Sequence, residues 1–113
     1  IKYLFNLDMI ADNNPAQYCE VSNEGMRLYP LFEKINAEKG YFKELDRNEL
    51  DGNSDHYPFA LRNVPCIFFM NEGGDAFKYY HTIYDTWENF IISNYEPTFS
   101  LIIDFINGQR SSE

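Results

Sequence analysis

The chain has 113 residues, 44% of them apolar and 18% aromatic, and its 18 acidic against 9 basic side chains give a formal charge of -9. That composition excludes a disordered tail, which lacks the apolar surface to build a core, and the acidic field excludes nucleic acid and anionic membranes as partners by repulsion. The length limits the chain to one compact unit or one piece of a larger unit.

Residues 1 to 10, IKYLFNLDMI, alternate Ile1, Tyr3, Phe5, Leu7 and Met9 on one face, with Leu4 and Ile10 on the other, which predicts a strand covered on both sides. The sequence begins inside this strand with no initiator Met and no signal segment, so it reads as part of a longer protein. Asp8 falls near the strand's carboxyl end. QYCEVS at 17 to 22 predicts a second short strand. A helix follows, with Leu28, Leu31, Phe32 and Ile35 at i, i+3, i+4, i+7 spacing, Pro30 in its first turns and Gly40 as its stop.

The stretch 41 to 53 is turn-rich, with room for one short strand at its start. SDHYPFALRN reads as a loop entering a short helix, capped by Ser54 or Asp55. VPCIFFM at 64 to 70 is a continuous apolar run, the pattern of a buried, parallel, central strand. Residues 71 to 92 carry Gly73, Gly74 and many aromatics without a period, and read as a long surface excursion of the kind that carries function. The last helix is marked by a capping box at Ser93 and Glu96, a stripe of Phe99, Ile102, Ile103 and Ile106, and a close at Asn107-Gly108. Cys19 and Cys66 sit in separate apolar stretches and read as two buried thiols. No run approaches the roughly 20 apolar residues that span a bilayer. Strands alternating with amphipathic helices predict a three-layer α/β/α sandwich with a mainly parallel central sheet.

In open α/β sheets, reactive residues gather past the carboxyl ends of strands. Asp8 follows the first strand and His81 lies in the loop after the 64 to 70 strand, so both reach one rim, and an aspartate with an imidazole suits zinc. Taken alone, an Asp ending a strand is more often a turn or helix cap, and a lone His more often a hydrogen-bonded structural group.

Four phrases in this order, NLDMI at 6 to 10, SDHYPF at 54 to 59, VPCIFF at 64 to 69 and YHTIYDT at 80 to 86, resemble the carboxyl-terminal half of the M28 family of zinc exopeptidases, which includes aminopeptidases, glutamate carboxypeptidases and the related glutaminyl cyclases. The resemblance runs from Asn6 to about Gly108. It implies a phosphorylase/hydrolase-like fold present as a partial domain, Asp8 and His81 as metal ligands, and two zinc ions in the intact enzyme. It also implies an upstream His, a bridging Asp and an adjacent Glu pair that supplies the general base, and the chain contains no Glu-Glu pair. Metal binding by the fragment is therefore expected to be weak or absent.

Tyr80 resembles a tyrosine that some members aim at the substrate carbonyl, and packing among its aromatic neighbours is an equal reading. Asp55 and His56 resemble rim residues that contact substrate, with helix capping as the other reading of Asp55. Thr82 and Asp85 read either as partners that hold the His81 loop or as ordinary turn formers. The family likeness implies a peptide substrate and a secreted or periplasmic bacterial setting. It leaves glutaminyl cyclase, glutamate-releasing carboxypeptidase and a metal-free binding module as rivals to an aminopeptidase. Sheet edges uncovered in a fragment predict self-association.

Overall fold

Four strands, β1 (Leu4–Leu7), β2 (Ala16–Val21), β3 (Glu44–Glu49) and β4 (Cys66–Met70), form one sheet in the spatial order β1-β4-β2-β3 in this computed structural model. The residues described are 1–10, 15–71, 77–89 and 95–111. β1 runs parallel to β4 and β2 parallel to β3, while β2 and β4 are antiparallel. The apolar run at 64 to 70 is thus central, with its ladder parallel on one side only. Its buried positions suit a strand covered on both faces.

Side chains along a strand alternate between faces, and the register converts this into two chemically different surfaces. Phe5, Cys19, Val21, Ile67 and Phe69 fall on one face, and Asn6, Tyr18, Glu20 and Phe68 on the other. The first face is covered by α1 (Tyr29–Lys39) and α3 (Tyr95–Ser111). The second carries α2 (Tyr57–Ala60), whose preceding residue His56 stacks on Phe68. This is the expected α/β arrangement in three layers, with a thin second helical layer among the described residues.

The core is aromatic. Phe32 of α1 and Phe105 of α3 stack with centroids 4.3 Å apart, and Phe5 meets both rings edge-on. Phe32, Phe69 and Phe105 are almost wholly withdrawn from water, and each such ring contributes about 1.5–3 kcal/mol by burial. This stack also decides which way the helices face. In α1 the buried positions are Tyr29, Phe32 and Asn36, while Leu31 of the predicted stripe points outward. In α3 they are Thr98, Leu101, Ile102 and Phe105, so of the predicted stripe Ile102 is buried and Ile106 packs against the core, while Phe99 and Ile103 are exposed.

Boundaries also differ. α1 ends as expected at Gly40, in the left-handed region at φ 68° with its N–H on the Asn36 carbonyl. The buried Asn36 side chain then holds the turn through Phe42, accepting from its N–H at 2.8 Å and donating to its carbonyl at 3.0 Å. α3 runs through Asn107-Gly108 to Ser111, because a glycine in an exposed last turn costs only about 1 kcal/mol relative to alanine. Ser93 of the predicted capping box lies outside the described residues, as do Gly73 and Gly74. The α2 N-cap is His56, without a side-chain capping bond, rather than Ser54 or Asp55. β1 is shorter than the predicted 1 to 10 strand and lies at the sheet edge, leaving Leu7 exposed. Both cysteines are buried and free, and burial raises the pKa of each thiol. No described helix is long and apolar enough to cross a membrane.

Candidate active site

Asp8 is the first residue past β1, and its N–H donates to the Phe69 carbonyl at 3.2 Å, which continues the ladder onto β4. The chain then turns sharply at Met9, whose φ is 60°, and the Met9 carbonyl accepts the Asn71 N–H at 2.9 Å. A non-glycine residue in the left-handed region is strained unless its surroundings hold it there. Here the neighbouring strand end holds it, and the Asp8 carboxylate is left exposed at the sheet rim.

Beside it lies a cavity of ≈ 390 Å³ lined by Asp8, Met9, Tyr18, Glu20, Asp51, Asn53, Ser54, Phe68, Met70 and Tyr80. Asp8 and Tyr80, 72 positions apart in the sequence, are therefore brought to one site. His81 is not among the lining residues, but its ring stacks on Tyr80 with centroids 3.7 Å apart and 22° between planes. His81 is exposed and is also held at positive φ, 58°. Backbone strain thus falls beside one predicted ligand and on the other.

The remaining predicted residues divide. The Thr82 hydroxyl donates to the Tyr79 carbonyl at 2.6 Å and accepts the Tyr84 N–H at 3.2 Å, so it shapes the turn that presents Tyr80 and His81. The Asp85 N–H closes the next turn on the Thr82 carbonyl at 3.2 Å, and its side chain is exposed. Asp55 is exposed. His56 corrects the expectation of a rim residue: it is 0% exposed, beneath the cavity and flat against Phe68. The reason is the alternation of β4, which points Phe68 to the second face and offers an aromatic plane to the imidazole. Burial drives the His56 pKa below its ordinary value, with Glu20 opposing the shift.

Glu20, Tyr18, Asn6 and Asp51 escaped the sequence reading. Glu20 could have been found, because a carboxylate between Cys19 and Val21 in a buried strand needs a partner. Asn6 and Asp51 give no such signal.

As zinc donors, Asp8 and His81 have the right chemistry, a carboxylate oxygen and an imidazole nitrogen both open to solvent. They are fewer than the three protein ligands of a typical catalytic site, and among the described residues no group of three or more His, Cys, Asp or Glu is placed to hold a metal.

Comparison with known proteins bears on the fold and the family. Two crystal structures of LapA from Legionella pneumophila, one described as LapA aminopeptidase, superpose with TM-scores of 0.69 at 19% and 20% identity. The match covers 93% of this chain but only 31% and 30% of those chains, so this chain spans about a third of their length. No curated protein sequence matches. The model of peptidase family M28 matches residues 1–106, which takes in the Asp8, His56 and Tyr80-His81 phrases together with the whole sheet, and the chain belongs to that family.

Proposed function

We propose that the chain is the carboxyl-terminal part of a zinc-dependent exopeptidase of the aminopeptidase type, and that it lacks activity by itself. The observation that carries this reading is the convergence of Asp8 and Tyr80 on one cavity with His81 stacked at its edge, in a chain of peptidase family M28. The aminopeptidase description of LapA supports the choice of reaction, and the share of LapA that is covered supports an incomplete site.

Asp8 and His81 would hold metal, and zinc when bound supplies an acidified water and polarises the scissile carbonyl. The side chains of this chain do the rest of their part. Asp8 keeps its carboxylate on the cavity side because β1 pairs with β4 up to Phe69. The Tyr80 hydroxyl donates a hydrogen bond to the substrate carbonyl oxygen as negative charge gathers there. Phe68, Met9 and Met70 supply apolar wall to orient a bound side chain and exclude water. A carboxylate acting as general base is expected from the rest of the parent protein. β1 and β3 are the outer strands of the sheet described, so the isolated chain is expected to self-associate through them, which light scattering over a range of concentrations measures.

The test uses the full-length parent protein. Zinc measured by mass spectrometry should fall in Asp8→Ala and His81→Ala variants, and amino-terminal leucine or methionine peptides should be shortened from the amino end. Unchanged zinc in both variants, or none in the parent, sinks the metal reading. Pyroglutamate formed from a glutamine peptide would make the protein a cyclase, and release of a carboxyl-terminal glutamate would make it a carboxypeptidase.

A further inference from the structure

Beneath the Asp8 cavity lie polar groups to which peptide hydrolysis assigns no task. Glu20 is 2% and His56 0% exposed, and a buried carboxylate is costly unless its lone pairs are met. Glu20 Oε1 accepts the Asp51 N–H at 3.1 Å, Oε2 accepts the Tyr18 hydroxyl at 3.2 Å, and the buried His56 Nε2, which makes no hydrogen bond, stands 3.5 Å from Oε1. On the far side of the ring, Asn6 Nδ2 lies 2.9 Å from Ser54 Oγ and 3.3 Å from His56 Nδ1. With the Asn6 NH₂ turned to the ring, Nδ1 is the acceptor, which puts the ring proton on Nε2 towards the Glu20 carboxylate.

This places one buried imidazole between two strands. Tyr18, Glu20, Asp51 and Ser54 all line the cavity, and Asn6 on β1 stands two residues before Asp8. The charged groups around the ring are Glu20 on β2 and Asp51 and Asp55 on the segment before α2. From β4 comes the Cys66 thiol, 3.8 Å from the His56 carbonyl.

We propose that Glu20 and His56 are positioning residues for the Asp8 site: a carboxylate-imidazole-amide relay, locked in the Nε2–H tautomer, that ties the end of β1 to the cavity floor. Its meaning for catalysis rests on the peptidase reading, whereas its geometry does not. Glu20 holds Asp51 and Tyr18 directly. Through His56 it orients the Asn6 amide, and Asn6 in turn holds Ser54. Asp8 is thereby kept in register with the residues that face it.

The test is nuclear magnetic resonance on the nitrogen-15-labelled 113-residue chain. At pH 7 the His56 ring should show a protonated Nε2 and an unprotonated Nδ1, and Asn6→Asp should move a proton onto Nδ1 because a carboxylate there accepts. Glu20→Gln keeps an acceptor for Asp51 but removes the charge facing Nε2. In that variant the Asp8 amide should exchange about tenfold faster than in the wild type, while the Phe32 amide in the core is unchanged. A wild-type ring protonated on Nδ1 overturns the relay, and this measurement needs no variant to fold. Asp8 exchange that only follows Phe32 in Glu20→Gln also overturns it, leaving a structural pair. Loss or absence of peptidase activity in the parent protein bears on the peptidase reading and leaves these results intact.

Discussion

His56 lies flat on Phe68, with ring centroids 4.8 Å apart and 14° between the planes, so an imidazole that the sequence sets among polar residues is part of the buried second face of the sheet.

A pH dependence follows from that burial. Burial lowers the His56 pKa in the folded chain, while in the unfolded chain the ring takes a proton near the ordinary value of about 6.5. Below that pH the unfolded state binds the extra proton, so folding stability is complete above about pH 6.5 and falls as pH drops towards the lowered folded value. Urea unfolding at intervals from pH 7.5 to 5 should show this decline above the carboxylate range. The decline should flatten in a folded His56→Asn variant. An equal slope in both proteins would assign the effect to other groups.

Gly25 sits where the chain leaves β2, and a Cβ built there would run into the Cys66 carbonyl oxygen. That oxygen is backbone and accepts the Ser22 N–H at 3.1 Å, and the Ser22 hydroxyl in turn accepts the N–H groups of Gly25 at 3.1 Å and Cys66 at 2.9 Å. The neighbour cannot step aside without breaking this knot. Gly25→Ala should destabilise the chain by about 1–3 kcal/mol, as overpacking does, read from the urea midpoint.

Thr98 of α3 donates to Gln17 Oε1 at 2.8 Å in a fully buried contact that reaches Asn71 as well. Thr98→Val keeps the shape but puts a methyl where the donor was, leaving the Gln17 oxygen with the longer Asn71 bond of 3.3 Å alone. The expected loss is about 1 kcal/mol. Gln17→Ala should cost more, since Gln17 Nε2 also donates to the Tyr18 and Met70 carbonyls at 3.0 Å each.

Asp8 and His81 are exposed, so Asp8→Ala and His81→Ala should leave the stability of the 113-residue chain within about 0.5 kcal/mol. In the full-length parent the same changes should abolish zinc retention and peptide hydrolysis. A large stability loss in the isolated chain would show that these residues serve the fold instead.

How far the sequence reaches differs by element. The strand at 64 to 70 and the helix from Pro30 to Gly40 were legible, because uninterrupted apolar runs and helix stop signals are local in origin. The last helix is legible as an element, but only half of its apolar stripe, Ile102 and Ile106, meets the core. Its sequence offers two stripes, 98-101-102-105 and 99-102-103-106, and local periodicity ranks the aliphatic one higher. The stacking of Phe105 on Phe32 chooses the other, and that contact joins residues far apart in the chain. Tyr84 and Trp87, in the stretch read as a surface excursion, are exposed.

The candidate site divides in the same way. Asp8, Tyr80 and His81 were marked by short phrases whose chemistry and order carry the family likeness, and a linear string holds order and chemistry in full. Glu20, His56 and Asn6 could be joined only by the tertiary structure. The sheet order sets β4 between β1 and β2, and the alternation of all three strands then turns Asn6, Phe68 and Glu20 to one face, where His56 from the loop before α2 descends onto them. The local sequence marks Glu20 as a buried carboxylate in need of a partner and His56 as a polar residue; only strand order and register make them neighbours.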